Sequence, residues 1–332
     1  MTHLIDRLRV VEQRIGNTPL VALENPRLHL FAKLEYHNFV GSIKDRVALS
    51  ILKGAILDGQ ITEETTVIEA SSGNFAMATA AICRFLKLKF VAVVDPNVNQ
   101  VYRALLDHFA HEVVMIDQKD KNNGYLLTKL AFIDRYCQNN GASFWTNQYK
   151  NPRNLEAHYR GTGEELSRQA GHLDYVFLAV ATGGTIAGMS KRLKEVFPDV
   201  KMVAVDVEGS VIFGKPASSR FIPGMGSGIV PSLIGQALID EVVYVSEEEE
   251  IRGCFELFDR HGLFVGGSSG SVYSAIHKYF DQHPPQGKPK VAFVCPDRGT
   301  GYADNIYNAA WRAWHRQQLG LSTPPTKEAF AY

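Results

Sequence analysis

Lys44 is the residue of this chain with the clearest capacity for covalent chemistry. It lies in the segment Gly41-Ser42-Ile43-Lys44-Asp45, ahead of a helical pattern that runs from Val47 to Leu57. A partly desolvated lysine amine loses its proton easily and can act as a nucleophile or form a Schiff base. Most lysines are solvated surface charges. Lys44 therefore indicates a reactive amine only if other segments supply partners for such a reaction.

Three loops of glycine, serine and threonine lie far downstream of Lys44. Each follows a short apolar run and precedes a helical pattern: Ser71-Ser72-Gly73-Asn74, Thr182-Gly183-Gly184-Thr185 and Gly266-Gly267-Ser268-Ser269-Gly270-Ser271. Free backbone N–H groups at the start of a helix bind carboxylates and phosphates, although each loop could by itself be a plain helix cap. The loop at Thr182 contains no Gly-Lys-Ser and no GxGxxG pattern, which favours a monophosphate over a nucleotide.

Short β-branched runs alternate with longer helical patterns, and this order determines where the loops lie. Strands are predicted near residues 28–35, 67–70, 90–94, 112–116, 175–180, 201–207, 242–245 and 291–294. Helices are predicted near residues 47–57, 75–86, 100–111, 124–139 and 184–197. The alternation predicts an α/β fold whose parallel sheets are covered on both faces. In such sheets ligands bind at the carboxyl ends of the strands, where all three loops lie.

Composition argues against several classes of function. The chain has 332 residues, and lysine plus arginine equals aspartate plus glutamate at 35 each. This balance argues against nucleic acid or a membrane surface as a partner. Residues 1–14 lack the long apolar core of a signal peptide. The four scattered cysteines have no metal-binding spacing, so we expect no metal site and a reducing, cytoplasmic location.

Lys44 and the three loops together match what pyridoxal 5′-phosphate requires of a protein. Its aldehyde needs a lysine, its phosphate needs a helix N-terminus, and its ring nitrogen needs a polar partner. The chain resembles the fold-type II pyridoxal-phosphate enzymes, and among them the cysteine synthase family, in segments that follow the family order over nearly the whole chain. These segments are Gly16-Asn17-Thr18-Pro19-Leu20, Gly41-Ser42-Ile43-Lys44-Asp45-Arg46, Ser71-Ser72-Gly73-Asn74, Asn147-Gln148-Tyr149 with Asn151-Pro152, Thr182-Gly183-Gly184-Thr185 and Gly266-Gly267-Ser268-Ser269-Gly270.

The resemblance implies a fold and a division into domains. The fold would be like that of the tryptophan synthase β subunit, with two lobes of parallel-type sheets covered by helices. Residues 37–148 would form a smaller, mobile domain, and residues 1–36 together with 149–332 a larger one. The cofactor would lie in the cleft between them. A homodimer that acts on small amino-acid substrates is the family expectation.

The resemblance also implies a role for each matched residue. Lys44 would carry the cofactor as a Schiff base and remove the substrate α-proton, and Asn74 would hydrogen-bond the cofactor 3′-oxygen. Ser268, or its neighbour Ser269, would face the pyridine nitrogen, where a neutral hydroxyl favours β-elimination. The cofactor phosphate would be held by Thr182, Gly183, Gly184 and Thr185. The substrate carboxylate would be bound by Ser71, Ser72, Gly73 and Gln148.

Further segments resemble the siderophore-pathway branch of this family. They are Gly209-Ser210-Val211-Ile212-Phe213-Gly214, Ser218-Ser219-Arg220, Pro223-Gly224-Met225-Gly226 and Pro296-Asp297-Arg298-Gly299 with Tyr302. Enzymes of that branch join O-phospho-L-serine to L-glutamate and form N-(2-amino-2-carboxyethyl)-L-glutamate, a precursor of 2,3-diaminopropionate. Arg220 is the residue expected to bind the donor phosphate, because arginine binds phosphate bidentately. Tyr149 is a candidate for the second substrate, and Phe75 replaces a small polar residue expected beside the pocket.

Other functions remain open from the sequence. A cysteine synthase would use sulfide as the nucleophile, and a cystathionine- or cyanoalanine-forming relative would use a different one. A non-catalytic protein could use the fold to sense a ligand, although the intact Lys44 and cofactor loops count against it. The motifs do not identify the nucleophile, because residues outside them shape its pocket.

Overall fold

The computed structural model describes residues 2–120 and 124–321, which form two sheets of mainly parallel strands with helices packed against them. In chain order the strands are β1 (Leu20–Leu23), β2 (His29–Leu34), β3 (Thr66–Ala70), β4 (Lys89–Val94), β5 (Glu112–Met115), β6 (Ser143–Trp145), β7 (Tyr175–Ala179), β8 (Lys201–Val207), β9 (Glu241–Val245) and β10 (Lys290–Cys295). The α-helices are α1 (Thr2–Glu12), α2 (Lys44–Leu57), α3 (Asn74–Leu86), α4 (Gln100–Phe109), α5 (Leu126–Asn139), α6 (Pro152–Ala157), α7 (Glu164–Ala170), α8 (Gly184–Val196), α9 (Glu247–His261), α10 (Gly267–Gln282) and α11 (Ala309–Gln318). In these ranges no helix has the length and apolar character that crossing a membrane requires.

The larger sheet has the strand order β1-β2-β10-β7-β8-β9. Its neighbouring strands are parallel except β1 and β2, which pair antiparallel with Leu20 opposite Lys33. Strands β7 and β8 are apolar and buried over most of their length. This is the pattern of parallel strands that are covered on both faces.

The smaller sheet has the order β5-β4-β3-β6, and all its strands are parallel. Successive side chains of β4 alternate between two apolar clusters, as the period of a strand requires. Phe90 and Ala92 join the cluster formed with α2 and α3, whereas Val91 and Val93 join the one formed with α5. The strand is therefore buried on both faces.

Helix α1 packs beside the smaller sheet, although it precedes two strands of the larger one. Its residues Leu4, Leu8 and Val11 are buried in the cluster that contains Val47 of α2 and Phe75 of α3. The division of the chain at residues 37 and 148, and the mobility of the smaller part, remain predictions.

The strands predicted from the sequence are confirmed to within one residue at each end, whereas β1, β6, α1, α6, α7 and α11 were not predicted. Helix α2 begins at Lys44, three residues before the predicted start. The reason is Asp45 in its first turn, whose Oδ2 accepts hydrogen bonds from the backbone N–H groups of Val40 and Gly41. These bonds fold the preceding loop back onto the helix and fix the position of Lys44.

Candidate active site

Four helices begin at or beside the residues that the sequence marks for chemistry, and their first turns surround one cavity. Helix α2 begins at Lys44, α3 at Asn74, α8 at Gly184 and α10 at Gly267. The cavity lining includes six of the residues predicted to bind the cofactor: Lys44, Asn74, Thr182, Gly183, Thr185 and Ser268. These residues come from helices packed on both sheets, so the cavity lies between the sheets.

The Lys44 side chain lies in the wall of this cavity. Burial lowers the pKa of its amine to about 8, and the nearby negative charge of Asp297 opposes that shift. No residue that the structure describes makes a hydrogen bond to the Lys44 amine. A lysine in this state keeps a substantial neutral fraction near physiological pH, which both nucleophilic attack and proton abstraction require.

The start of α8 is shaped to receive an anion. Gly183 has a φ of +83°, and a Cβ atom there would lie 2.9 Å from the backbone nitrogen of Ile234. At Gly184 a Cβ atom would lie 2.1 Å from Asn154 Oδ1, so this residue packs behind the cavity wall. Both glycines let the loop turn tightly before a helix of 13 residues, whose N-terminus carries the positive end of its dipole.

Two neighbours hold the threonine hydroxyls of this loop. Asn154 Nδ2 donates to Thr182 Oγ1 at 3.2 Å, and Thr185 Oγ1 lies 3.2 Å from His158 Nε2. His158 is fully buried, and burial, followed by the charges of Lys44 and Arg46, lowers its pKa well below the ordinary value. The imidazole is therefore neutral and adds no charge to the site.

Asn74 connects the two sides of the cavity. Its Nδ2 donates to Asp297 Oδ2 at 2.5 Å, and its Oδ1 accepts from the Tyr102 hydroxyl at 2.5 Å. Burial raises the pKa of Asp297 to about 6, against hydrogen bonds from Asn74 and Tyr302 and the charge of Lys44. Asp297 is thus ionised at neutral pH and lies in the same cavity lining as the Lys44 amine.

The two serines that the sequence left as alternatives have different positions. Ser268 belongs to the cavity lining, whereas Ser269 does not. Ser269 is fully buried at the start of α10. Of the two hydroxyls, that of Ser268 is therefore the one available to a molecule in the cavity.

The two serine hydroxyls of the loop between β3 and α3 differ in their hydrogen bonds. The Ser72 hydroxyl donates to Asp95 Oδ2 at 3.2 Å, and the same oxygen accepts from Lys129 at 2.5 Å. Ser71 Oγ accepts from the backbone N–H of Ala76 at 3.3 Å. The Ser72 proton is thus engaged, whereas the Ser71 proton has no acceptor within the described part of the chain. An anion at this loop would meet the Ser71 hydroxyl and the backbone N–H groups around Gly73, the residue that precedes α3.

Gln148 is held next to this loop by a buried glutamate. Glu69, at the end of β3, accepts from the Thr146 hydroxyl and from the backbone N–H of Gln148, the latter at 3.4 Å. Burial raises the pKa of Glu69, and these hydrogen bonds oppose the shift. The short segment after β6 therefore has a fixed position relative to the loop at Gly73.

Tyr149 and Arg220 lie near each other and outside the cavity lining. Burial and Glu69 raise the pKa of Tyr149 to about 12, and the charge of Arg220 acts in the opposite direction. Arg220 is half-buried, and its Nη1 donates to the backbone oxygen of Met225 at 3.0 Å. One face of its guanidinium thus fixes the loop that contains Gly224, which does line the cavity.

Phe75 does not lie beside the pocket as the sequence suggested. Its side chain is 2% exposed and packs into the apolar cluster of α1, α2 and α3. Asp297, Tyr102 and Tyr302 were not predicted as site residues. Asp297 follows directly after the apolar strand β10, and this position could have identified it, since ligands bind at the carboxyl ends of such strands.

The residues around the cavity fit pyridoxal phosphate. A lysine amine with a lowered pKa suits its aldehyde, and the glycine turn at the start of α8 suits its phosphate. Ser268 places a neutral hydroxyl in the same wall. These are three different chemical requirements of one molecule, and they converge on one cavity.

Comparison with known proteins agrees with this chemistry. Residues 11–297 match the family described as pyridoxal-phosphate dependent enzyme. The N-(2-amino-2-carboxyethyl)-L-glutamate synthase of Ralstonia nicotianae is 38% identical over 305 residues, which cover 90% of this chain and 89% of that protein. The protein of the same name from Cupriavidus metallidurans is 38% identical over 307 residues, or 91% and 90% of the two chains.

A solved structure shares the fold. The O-acetylserine dependent cystathionine β-synthase from Helicobacter pylori superposes with a TM-score of 0.81 at 28% identity, covering 90% of this chain and 98% of that one. The family match extends over most of the chain and includes Lys44, the glycine turn and Asp297. The chain therefore belongs to the fold-type II pyridoxal-phosphate-dependent enzymes.

Proposed function

We propose that this enzyme joins O-phospho-L-serine to L-glutamate and releases phosphate, forming N-(2-amino-2-carboxyethyl)-L-glutamate. The observation that carries the proposal is the 38% identity, over about nine tenths of both chains, to two synthases named for that product. The cavity supports it, because its lysine, anion site and hydroxyl are the groups that a pyridoxal-phosphate enzyme needs. The product would serve as a precursor of 2,3-diaminopropionate in a siderophore pathway.

Pyridoxal phosphate, bound to Lys44, would supply electron withdrawal that makes the α-proton of an amino acid acidic. The protein's own contribution is to hold and orient. We assign the phosphate to the N–H groups and hydroxyls of the 182–185 turn, the 3′-oxygen to Asn74, and the ring nitrogen to Ser268. The loop Ser71-Ser72-Gly73, through the Ser71 hydroxyl and its backbone N–H groups, would bind the substrate carboxylate together with Gln148.

Lys44 would move the proton in this reaction. Its lowered pKa, about 8, supplies a neutral amine that takes the α-proton of O-phosphoserine. The Cβ–O bond then breaks, and phosphate leaves with the bonding electrons. The glutamate amine forms the new Cβ–N bond and loses a proton, and Cα regains one. Atoms and electrons balance without an oxidant or reductant.

Arg220 would favour a donor with a phosphate ester. Its neighbourhood supports this, since Arg220 is half-buried next to Tyr149 and to the loop that reaches the cavity at Gly224. Tyr149 would contact the second amino acid. A guanidinium has donors left after one bond to Met225 O, and they suit a phosphate oxygen.

The second candidate function is replacement by a sulfur nucleophile. It is favoured by the structural likeness to the cystathionine β-synthase of Helicobacter pylori, an enzyme whose name specifies O-acetylserine. The identity to that protein is 28%, against 38% to the two glutamate synthases. We therefore place the glutamate amine first.

We also propose that the enzyme is a cytoplasmic homodimer. The resemblance to the cysteine synthase family supports the dimer, and the scattered cysteines support a reducing compartment. Light scattering coupled to size-exclusion chromatography measures the mass directly. A mass close to the 36.9 kDa of one chain would contradict the dimer.

A comparison of acceptors tests the proposed function. The enzyme loaded with pyridoxal phosphate receives O-phospho-L-serine, and phosphate release is followed with glutamate, sulfide or homocysteine as acceptor. We expect sustained turnover with glutamate, less with the two sulfur compounds, and none in Lys44→Ala. Faster turnover with sulfide than with glutamate would identify a cysteine synthase instead.

A further inference from the structure

The cavity lining contains one carboxylate, Asp297, to which no role has been given so far. Its side chain is 3% exposed. Its Oδ2 accepts from Asn74 Nδ2 at 2.5 Å and from the Tyr302 hydroxyl at 3.0 Å. The backbone of Asp297 forms a β-bridge with Ser42, two residues before Lys44. Asp297 therefore contacts the residue assigned to the cofactor oxygen and borders the segment of the reactive lysine.

The partners of Asn74 fix the direction in which its amide group faces. Tyr102 donates to Oδ1, and Nδ2 donates to Asp297, so the oxygen is engaged and one N–H of the two remains. Turning the amide by half a rotation would bring Oδ1 against the Asp297 carboxylate and leave two acceptors facing each other. The carboxylate thus determines that a donor, and not an acceptor, is available to a molecule in the cavity.

Asp297 also acts on Lys44 through its charge, which raises the pKa of the lysine against the larger lowering by burial. The other titratable groups that interact electrostatically with Asp297 are Tyr102, Glu250, Cys254, Cys295, Tyr302 and Tyr307. Burial raises the pKa of every one of these groups. The neighbouring charge that acts on the pKa of Lys44 is that of Asp297.

We propose that Asp297 is a positioning residue with two effects: it keeps a free N–H of Asn74 directed at the cofactor, and it places a carboxylate in the same cavity lining as the Lys44 amine. The inference rests on the proposed roles of Lys44 and Asn74. It does not depend on which amino acids the enzyme joins. Tyr102 supports the same amide from the opposite side, so Tyr102 and Asp297 act together on Asn74.

The test measures cofactor binding in the absence of any amino acid. Apoprotein of the wild type, Asp297→Asn, Tyr102→Phe and a control, Asp304→Asn, is titrated with pyridoxal phosphate, and the rate of capture is followed against pH. Asp304 is exposed and accepts from Asn99 outside the cavity lining. We expect Asp297→Asn to weaken the affinity about tenfold, as for loss of a charged hydrogen bond.

The two variants should differ in their pH dependence. In Asp297→Asn the pKa governing capture should fall by about one unit, because an opposite charge has been removed. Tyr102→Phe should weaken the affinity and leave that pKa unchanged, and Asp304→Asn should match the wild type. Wild-type affinity and pH dependence in Asp297→Asn, even with a lower melting temperature, would overturn the proposal. If Asp297→Asn fails to fold, wild-type affinity in Tyr102→Phe overturns it.

These measurements separate the inference from the proposed function. A wild-type enzyme that binds the cofactor but forms no product from glutamate would refute the proposed reaction and leave the role of Asp297 intact. If the wild-type enzyme forms the product and Asp297→Asn binds the cofactor normally, the proposed reaction stands and the role of Asp297 is refuted.

Discussion

Arg46 and Glu165 form a two-point ion pair inside the protein, with Nη1 to Oε1 and Nη2 to Oε2 both at 2.7 Å. Arg46 also binds Glu35 at 2.5 Å, and Glu165 binds Lys33 at 2.8 Å. Every one of these side chains is less than a tenth exposed. Arg46 follows Lys44 by two residues on α2, so the pair ties the helix that carries the reactive lysine to β2 and α7.

Removing the charge of Glu165 should strongly destabilise the protein. In Glu165→Gln the positive charges of Arg46 and Lys33 stay buried but lose one of the two carboxylates that balance them. We expect the free energy of unfolding to fall by about 3–5 kcal/mol. The control is Glu156→Gln, whose carboxylate is 44% exposed and 3.9 Å from Arg153. Its loss should stay within about 1 kcal/mol. Urea denaturation measures both, and equal losses would show that the buried network adds nothing.

Capture of pyridoxal phosphate by the apoprotein should depend on pH through Lys44. The neutral amine is the reactive form, and burial places its pKa at about 8 instead of the ordinary 10.5. The rate should therefore rise with pH up to about 8, roughly tenfold per unit, and level off above it. Stopped-flow absorbance of the bound cofactor measures this rate. A rate that still rises steeply at pH 10 would mean that Lys44 is solvated or that another lysine reacts.

Substitution of Gly183 should damage the phosphate site. Gly183→Ala forces a Cβ into a backbone with a φ of +83° and to 2.9 Å from Ile234 N, so the loop must move. We expect cofactor affinity to fall about tenfold or more, from strain of a few kcal/mol. Gly171→Ala is the matched control, with a φ of +69° and no atom within 4 Å of the added Cβ. It should lower stability without changing the affinity; equal affinity losses would refute the assignment of the phosphate to this turn.

Arg220 should discriminate between donors. Loss of a charge-assisted hydrogen bond to phosphate costs about 1.5–3 kcal/mol, so Arg220→Ala should raise the KM for O-phosphoserine roughly 10- to 100-fold. The KM for O-acetylserine should change little. Lys191→Ala serves as control, because Lys191 lies on α8 outside the cavity lining and donates to Gln236 Oε1. Equal effects of Arg220→Ala on both donors would show that Arg220 does not bind the donor phosphate and only stabilises the loop at Met225.

The reactive loops could be predicted from the sequence because their signals are local. Strands end at Ala70 and Ala179, and in each case a helix begins within five residues after a short turn rich in glycine, serine or threonine. Such a turn exposes N–H groups whatever the rest of the chain does. Parallel strands place each turn at the carboxyl edge of its own sheet, β3 in the smaller sheet and β7 in the larger one. That the two turns and Lys44 meet at one cavity depends on how the two sheets and their helices pack together.

Other features of the site depend on contacts that no local pattern records. Asn74, Tyr102 and Asp297 meet only because α3, α4 and the segment after β10 pack together. The hydrogen bond between Ser72 and Asp95 likewise depends on the packing of the ends of β3 and β4. Phe75 is different, because it follows Asn74 on a helix. The side chains of neighbouring helical residues point about 100° apart. Because Asn74 faces the cavity, the side chain of Phe75 points toward the core.

Glutamate labelled at its amine nitrogen shows directly whether the glutamate amine is the nucleophile of the reaction. The enzyme is incubated with O-phospho-L-serine and the labelled glutamate, and the product is analysed by mass spectrometry while phosphate is measured in parallel. We expect one labelled nitrogen in a product with the mass of N-(2-amino-2-carboxyethyl)-L-glutamate, one phosphate released per product, and neither in Lys44→Ala. Phosphate release with no label in the amino-acid product, or product formation by Lys44→Ala at the wild-type rate, would contradict it.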